Sequence, residues 1–522
     1  MPTSVMVANI AGIAMILLFS EPACAVQQSQ LPSNVAQAQE PGSIDFLLRP
    51  VRDGQADVTA IAVRSVINAA PLAAGERLSL TAPIVYAGAA GIADRVHDLI
   101  VADRAGIVPL SVSNDAAVPG GFPYFRHWRA TRDVQFPVVV TYRALGDPIS
   151  TRRGPPFAIR AAGGGVTGGG MSFLVIPENV ATGRANVRWD LGDVGAGSLA
   201  ASSFGDGDFT LTGAASALWQ GWYMAGPAGR FPETGDVNGF SATWLGTPPW
   251  DPRLEMPQTA RIYSYLGEVF GANPPPRYRV FVRVTEMPPF GGGTALTNSF
   301  MLSRGPATPG DDEKAPQSTF FHEMIHGFVG GIEGPQGVTS WFSEGLTSYY
   351  TSELQRRGGF TSIDDYGRDI NEVAREYYTS PARNWSADQI VKVGFSDNDI
   401  RHLPYRRGQL YFADLDARIR AASGGQRTLD TVMREIFERR DKGWRFDHAA
   451  WIEVVTKELG ASAREEFESA ILSGQRTLVP ASNAFGPCFE RQPTTYTVGG
   501  KSVEGYRWER VPTVPDARCI TR

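Results

Sequence analysis

The chain has 522 residues, enough for two or three domains and an ample core. A formal charge of −5, from 49 basic and 54 acidic residues, leaves no basic footprint for nucleic acid. Glycine (57) and proline (37) are plentiful, which favours strands and turns over a long helical bundle, above all in the first half.

From the N-terminus, Val5 to Phe19 is apolar apart from Asn9, and Ala23-Cys24-Ala25 supplies a small-residue cleavage pattern. These features predict a signal peptide over 1–25 and export to the periplasm or beyond. No Lys or Arg precedes the run, so an uncleaved anchor and a misassigned start stay open as alternatives. A polar, Gln-rich leader follows over 26–43. Residues 44–230 then read as an N-terminal β-sandwich-like domain of short apolar runs split by turn residues. Val58 to Val63, Val138 to Tyr142 and Ser172 to Ile176 are expected strands. The Gly163–Gly170 cluster lacks the Lys-Ser/Thr of a phosphate loop and reads as a strand-linking turn. His97 and His127 have no metal-ligand spacing. After cleavage, no later segment is apolar for long enough to span a bilayer.

Organisation changes near Asp236. Strands are expected at Phe240–Leu245, Tyr278–Val284 and Ala295–Leu302, with a helix from Pro257 to Phe270. Next comes Phe321-His322-Glu323-Met324-Ile325-His326. Histidines four apart lie one above the other on a helix, so His322 and His326 can reach one ion, and Glu323 projects to its open side as a general base. Ser318-Thr319 is the expected N-cap and Gly330-Gly331 the end. A second helix, capped by Ser340 and running to about Arg357, carries Glu344 in its first turn and would return it to the ion as third ligand. Three protein ligands plus water is the catalytic zinc arrangement, and no Cys-x-x-Cys pair supports a structural site. One Zn2+ per chain is therefore expected, since two imidazoles and a carboxylate are its common catalytic set.

These residues resemble the gluzincin metallopeptidases, and within them the glycyl aminopeptidase-like family and relatives of aminopeptidase N. The resemblance rests on His-Glu-x-x-His, on Trp-x-x-Glu-Gly-x-Thr-x-Tyr-Tyr over Trp341 to Tyr350, and on Tyr405-Arg406-Arg407-Gly408. It implies a thermolysin-like zincin catalytic domain over 236–480 and an oxyanion-donor role for Tyr405. The chain departs from the pattern twice. Seventeen residues separate His326 from Glu344, one fewer than usual in aminopeptidase N relatives, and Phe328-Val329 stands where glycyl aminopeptidase-like enzymes have an aromatic-Asn pair. The family's Gly-Gly-x-Glu-His-x-Asn-Ser strand corresponds to Gly292–Ser299, where Ala295 replaces the glutamate that holds a substrate amine. Gly292, Gly293 and Asn298 are the substrate-binding candidates on this edge, to which a peptide can add as an extra strand.

Beyond Tyr350 the chain reads as helical. Leu429, Val432, Met433, Ile436 and Phe437 mark one buried face, as do Trp451, Val454, Val455 and Leu459. His402 is expected as a hydrogen-bonded wall residue and His448 as structural. Residues 481–522 form a short appendage tied by Cys488 and Cys519, the two cysteines that signal cleavage would leave. Free thiols are the alternative and would fit a cytosolic protein.

The expected whole is a multidomain α+β protein with a helical C-terminal half. Its expected activity is hydrolysis of peptide or protein substrates by zinc-activated water. A zinc-binding peptide adaptor and a zinc hydrolase of a non-peptide substrate are the competing readings. Oligomeric state, side-chain specificity and exo- versus endopeptidase mode have no sequence signal.

Overall fold

The structure, a computed structural model, describes residues 42–54, 57–147, 157–286, 292–306 and 314–520. The expected signal peptide lies outside the described residues, as does the leader up to residue 41. Strand structure begins at Gly42, two residues before the expected start of the β region.

The first half is β-rich. A seven-stranded sheet is centred on Gly42–Arg52, Val58–Asn68 and Val138–Leu145, and all its neighbours are antiparallel except Gly42–Arg52 with Thr182–Trp189. Along Val58–Asn68 buried and more exposed side chains largely alternate, the period of a strand with one face in the core. Two five-stranded sheets add their inner faces to the same core, through Leu80 and Trp128 of one and Val166, Trp222 and Met224 of the other. Ser172–Ile176 is not the expected strand. Gly170–Ser172 is a 3-10 turn, and only Ile176–Pro177 pairs, with Leu80 and Thr81. The run is buried throughout, so it has no alternation to betray its conformation. Its backbone donors are satisfied locally instead: Phe173 and Leu174 N–H donate to Gly170 O, and Val175 N–H donates to the Tyr142 hydroxyl.

A further five-stranded sheet, in the order Gly229–Phe231, Phe240–Leu245, Tyr278–Val284, Ser299–Arg304, Gly293–Leu296, carries the site. Its three central strands are parallel and its two edges antiparallel. Side-chain alternation sorts it into two faces: Val280, Val282, Phe300 and Leu302 join the helical core, while Leu245, Phe281 and Met301 join the β core. Arg283 also points to the β side, where it is buried and donates to Ala158 O (2.9 Å) and Thr167 Oγ1 (3.1 Å). The single strand expected over Ala295–Leu302 is a hairpin, because Asn298 takes a left-handed conformation (φ 45°) that asparagine tolerates. Helix α1, Pro252–Val269, starts five residues earlier than expected. The Asp251 side chain caps it and Pro252 occupies the first turn, where a missing N–H is no loss, so Pro257 falls inside.

Eight more helices complete the site region: α2 (Gln317–Val329), α3 (Ser340–Arg357), α4 (Ile363–Thr379), α5 (Ala387–Val393), α6 (Asn398–Arg401), α7 (Leu403–Ala422), α8 (Leu429–Asp441) and α9 (His448–Leu459). On α8, Leu429, Val432, Met433 and Ile436 are buried as their spacing predicts; on α9, Trp451 and Val455 are. The C-terminal hairpin, Phe489–Val498 with Lys501–Arg510, lies on α4, where Asn371 exchanges two bonds with the backbone of Trp508. Cys488 and Cys519 form a disulfide beside it. Among the described residues no helix is long and apolar enough to cross a membrane.

Candidate active site

Helices α2 and α3 build the metal-ligating group. α2 begins at Gln317, ahead of the expected Ser318-Thr319 cap, with no side-chain cap, and ends as expected at Gly330 (φ 65°). α3 has Ser340 as its first helical residue rather than its cap. His322 and His326 share one face of α2, their ring centres 4.8 Å apart. Across the helix pair, Glu344 Oε2 lies 3.3 Å from Nε2 of each histidine. Ligand atoms about 2.0–2.1 Å from one tetrahedral zinc ion lie roughly 3.3–3.4 Å apart, which both histidine–Glu344 spacings match, and all three ligand atoms lie within 4.8 Å of one another, a donor set of the kind zinc takes.

Thr347, one turn beyond Glu344, fixes the tautomer of His326. Its hydroxyl donates to Ser343 O (2.6 Å), which leaves it to accept from His326 Nδ1–H (3.3 Å). Nε2 is then the unprotonated nitrogen and faces Glu344. The sequence reading did not single out Thr347's role, although Thr347 is part of the quoted Glu-Gly-x-Thr run.

Glu323 is buried, 7% exposed, between α2 and the edge strand Gly293–Leu296. Burial raises its carboxyl to about 7; His322 opposes this, the Glu344 charge adds to it, and a hydrogen bond from Ala295 N–H opposes it. A Cβ on Gly293 would sit 2.7 Å from Glu323 Cγ and 2.9 Å from Oε1, so only glycine leaves room for this carboxyl. Trp222 Nε1–H donates to Thr294 O (3.1 Å), pinning the same strand to the β region.

Tyr405 reaches the group from α7. Its ring stacks on His322 (5.9 Å, 10°), and its hydroxyl donates to Glu344. Burial, then the Glu344 charge, push the phenol far above its ordinary range. α7 gets this close because Gly345 of α3 meets Gly408 of α7: a Cβ on Gly345 would lie 2.5 Å from Gly408 Cα. His402 packs edge-on against Tyr405 (5.0 Å) and lies 2.8 Å from Arg401 Nη2, as a wall residue. His448 accepts from Trp341 Nε1–H (3.2 Å), away from the cleft. His127 bridges Asp115 and Glu178 in the β region, and His97 is exposed.

His322, Glu323, His326, Glu344, His402 and Tyr405 open onto one cleft of about 950 Å3. Its floor is α2 and α3, Gly292, Gly293 and Ala295 form one rim, and Tyr86, Phe122, Phe157 and Phe395 make an aromatic wall. Asn298 does not line it. That residue sits in the hairpin turn and accepts from Arg279 N–H through its backbone. The lining includes Arg401, a position to which the sequence reading gave no role.

A sequence model of the M61 glycyl aminopeptidase family matches residues 333–394, the stretch that holds α3 with Glu344 and all of α4. No curated protein sequence matches. Among solved structures, an aminopeptidase N family protein from Idiomarina loihiensis is similar with a TM-score of 0.67 at 16% identity, over 88% of this chain and 81% of that one. An M1 zinc metallopeptidase from Deinococcus radiodurans gives 0.50 at 16% identity, over 85% and 96%. Native leukotriene A4 hydrolase from Saccharomyces cerevisiae gives 0.50 at 11% identity, over 86% and 71%. At such identities the likeness is one of fold. The chain thus has the fold of these aminopeptidase N and M1 structures and resembles the M61 glycyl aminopeptidases over residues 333–394.

Proposed function

We propose that the protein hydrolyses peptide bonds, with one zinc ion held by His322, His326 and Glu344, Glu323 as general base and Tyr405 as oxyanion donor. The observation that carries this reading is the convergence of a zinc-compatible triad, a buried carboxyl and a tyrosine hydroxyl on one cleft. When bound, zinc would polarise a substrate carbonyl and make water more acidic. Glu323 takes the proton from the attacking water and delivers it to the leaving amine, work suited to a carboxyl held near neutrality. Tyr405 donates its hydroxyl proton in a hydrogen bond to the oxygen that gains charge. Thr347 keeps His326 in the tautomer that presents Nε2.

The adaptor reading leaves Glu323 and Tyr405 without a purpose, since binding alone needs no buried base and no oxyanion donor. Export to an oxidising compartment fits the Cys488–Cys519 disulfide. The test is a digest of a mixed peptide library by the zinc-loaded protein, read by mass spectrometry. New termini that vanish with a chelator are expected. A library left intact would refute peptide hydrolysis and return the choice to a non-peptide substrate.

A further inference from the structure

Among the described residues, the cleft lining contains one lysine or arginine, Arg401. It ends α6, four residues before Tyr405, and is partly buried. Its guanidinium is held from three sides by neutral groups. Nη2–H donates to Asn398 Oδ1 (3.0 Å) and to His402 Nε2 (2.8 Å), and the guanidinium carbon lies 5.3 Å over the Phe395 ring. The histidine nitrogen is an acceptor in that bond and so carries no proton. Nearby arginines differ: Arg406 is paired with Glu376, and Arg375 with Glu372. No carboxylate pairs with Arg401 among the described residues. Arg401 is bonded to His402, which packs edge-on against Tyr405 (5.0 Å), beside the proposed reaction centre. Fixing a partly buried cation with neutral partners costs desolvation that those bonds offset only in part, with no paired carboxylate among the described residues to complete it.

We infer that Arg401 is a specificity residue that binds a carboxylate of the substrate next to the bond being cleaved. The bonds from Nη2 to Asn398 and His402 and the contact with Phe395 hold the guanidinium in place, which leaves its Nη1 and Nε protons to donate charge-assisted hydrogen bonds to a carboxylate. A peptide's C-terminal carboxylate and an acidic side chain share that chemistry. The inference rests on the peptide-hydrolase reading for its substrate class.

The test is binding rather than turnover. Zinc-loaded protein carrying Glu323→Gln is titrated calorimetrically with two matched pairs. One pair is N-acetyl-Ala-Phe against its C-terminal amide; the other is N-acetyl-Ala-Glu amide against N-acetyl-Ala-Gln amide. In one pair the acid should bind roughly 10- to 100-fold tighter, and which pair responds identifies the source of the carboxylate. Adding Arg401→Gln should bring that ratio close to one, and Arg401→Lys should retain part of it. If Arg401→Gln does not fold, Arg401→Lys decides, because a flexible ammonium lacks the planar set of donors that Asn398, His402 and Phe395 hold in place, and the ratio must fall several-fold. Equal affinities within both pairs, or a preference unchanged on substituting Arg401, would overturn the inference. A protein that prefers acids through Arg401 yet cleaves no peptide would overturn the hydrolase reading alone. One that cleaves peptides without any such preference would overturn this inference alone.

Discussion

Thr347 shows how one hydroxyl can set the chemistry of a metal-binding group. With its proton committed to Ser343 O, it can only accept from His326, which frees Nε2. Thr347→Val keeps the shape and removes the acceptor, so zinc affinity should fall about 10- to 100-fold, read by competition with a chromophoric chelator. Tyr405→Phe should leave zinc content unchanged and reduce turnover about 100- to 1,000-fold, the usual loss for an oxyanion donor. Normal turnover in that variant would reassign Tyr405 to substrate binding. At this scale the ligands were legible because helical periodicity alone puts residues four apart on one face. Glu344 was legible from its place in the first turn of a return helix, and Tyr405 through the family resemblance. Arg401 was not, because its lack of a carboxylate partner depends on the packing of α6, α4 and α7, and sequence shows only that it is charged.

Two helices that cross glycine to glycine set the distance between the triad and Tyr405. A methyl on Gly408 would lie 2.4 Å from Trp341 O and 2.6 Å from Gly345 Cα, so Gly408→Ala must push α7 off α3. Such overpacking should cost about 1–3 kcal/mol in urea unfolding and reduce turnover while zinc, held by α2 and α3, stays bound. Loss of zinc equal to the loss of turnover would show that α7 supports the triad itself. Strands Phe240–Leu245 and Tyr278–Val284 were readable to the residue, since each is a short run rich in β-branched and aromatic residues that follows turn residues. The errors have physical causes. Ser172–Ile176 is buried on all sides and shows no period. Asn298 folds an expected strand into a hairpin by adopting a conformation that sequence allows without requiring. Asp251 outcompetes Pro257 as the start of α1 because capping satisfies a free N–H.

At the level of the whole molecule, the cleft is made jointly by the β-rich half and the helices. Phe122 of the first meets Phe395 of the second (6.2 Å), and both line it. The α+β plan and the zincin sheet were legible from the change in pattern near Asp236. The shared wall was not, since it joins residues nearly 300 positions apart. The disulfide belongs to this scale as well. Cys488→Ser should reduce stability by about 3–4 kcal/mol through loss of its 31-residue closure, with zinc content intact because the hairpin rests on α4. A larger effect on zinc than on unfolding would show that the appendage shapes the site. Ala295 leaves the rim strand without a carboxylate to hold a free α-amine. Acetylating a peptide's N-terminus should therefore cost little, and internal bonds should be cut. Cleavage of the free form only, one residue at a time, would show an amine anchor elsewhere.

The central claim, hydrolysis driven by Glu323 beside a triad-bound zinc, meets its most direct test in Glu323→Gln. Zinc per chain and turnover of one library-derived peptide are measured on the same preparation. The account predicts about one zinc in both proteins and a loss of turnover by several orders of magnitude, since the base acts without being a ligand. Full turnover in Glu323→Gln with zinc retained would contradict it.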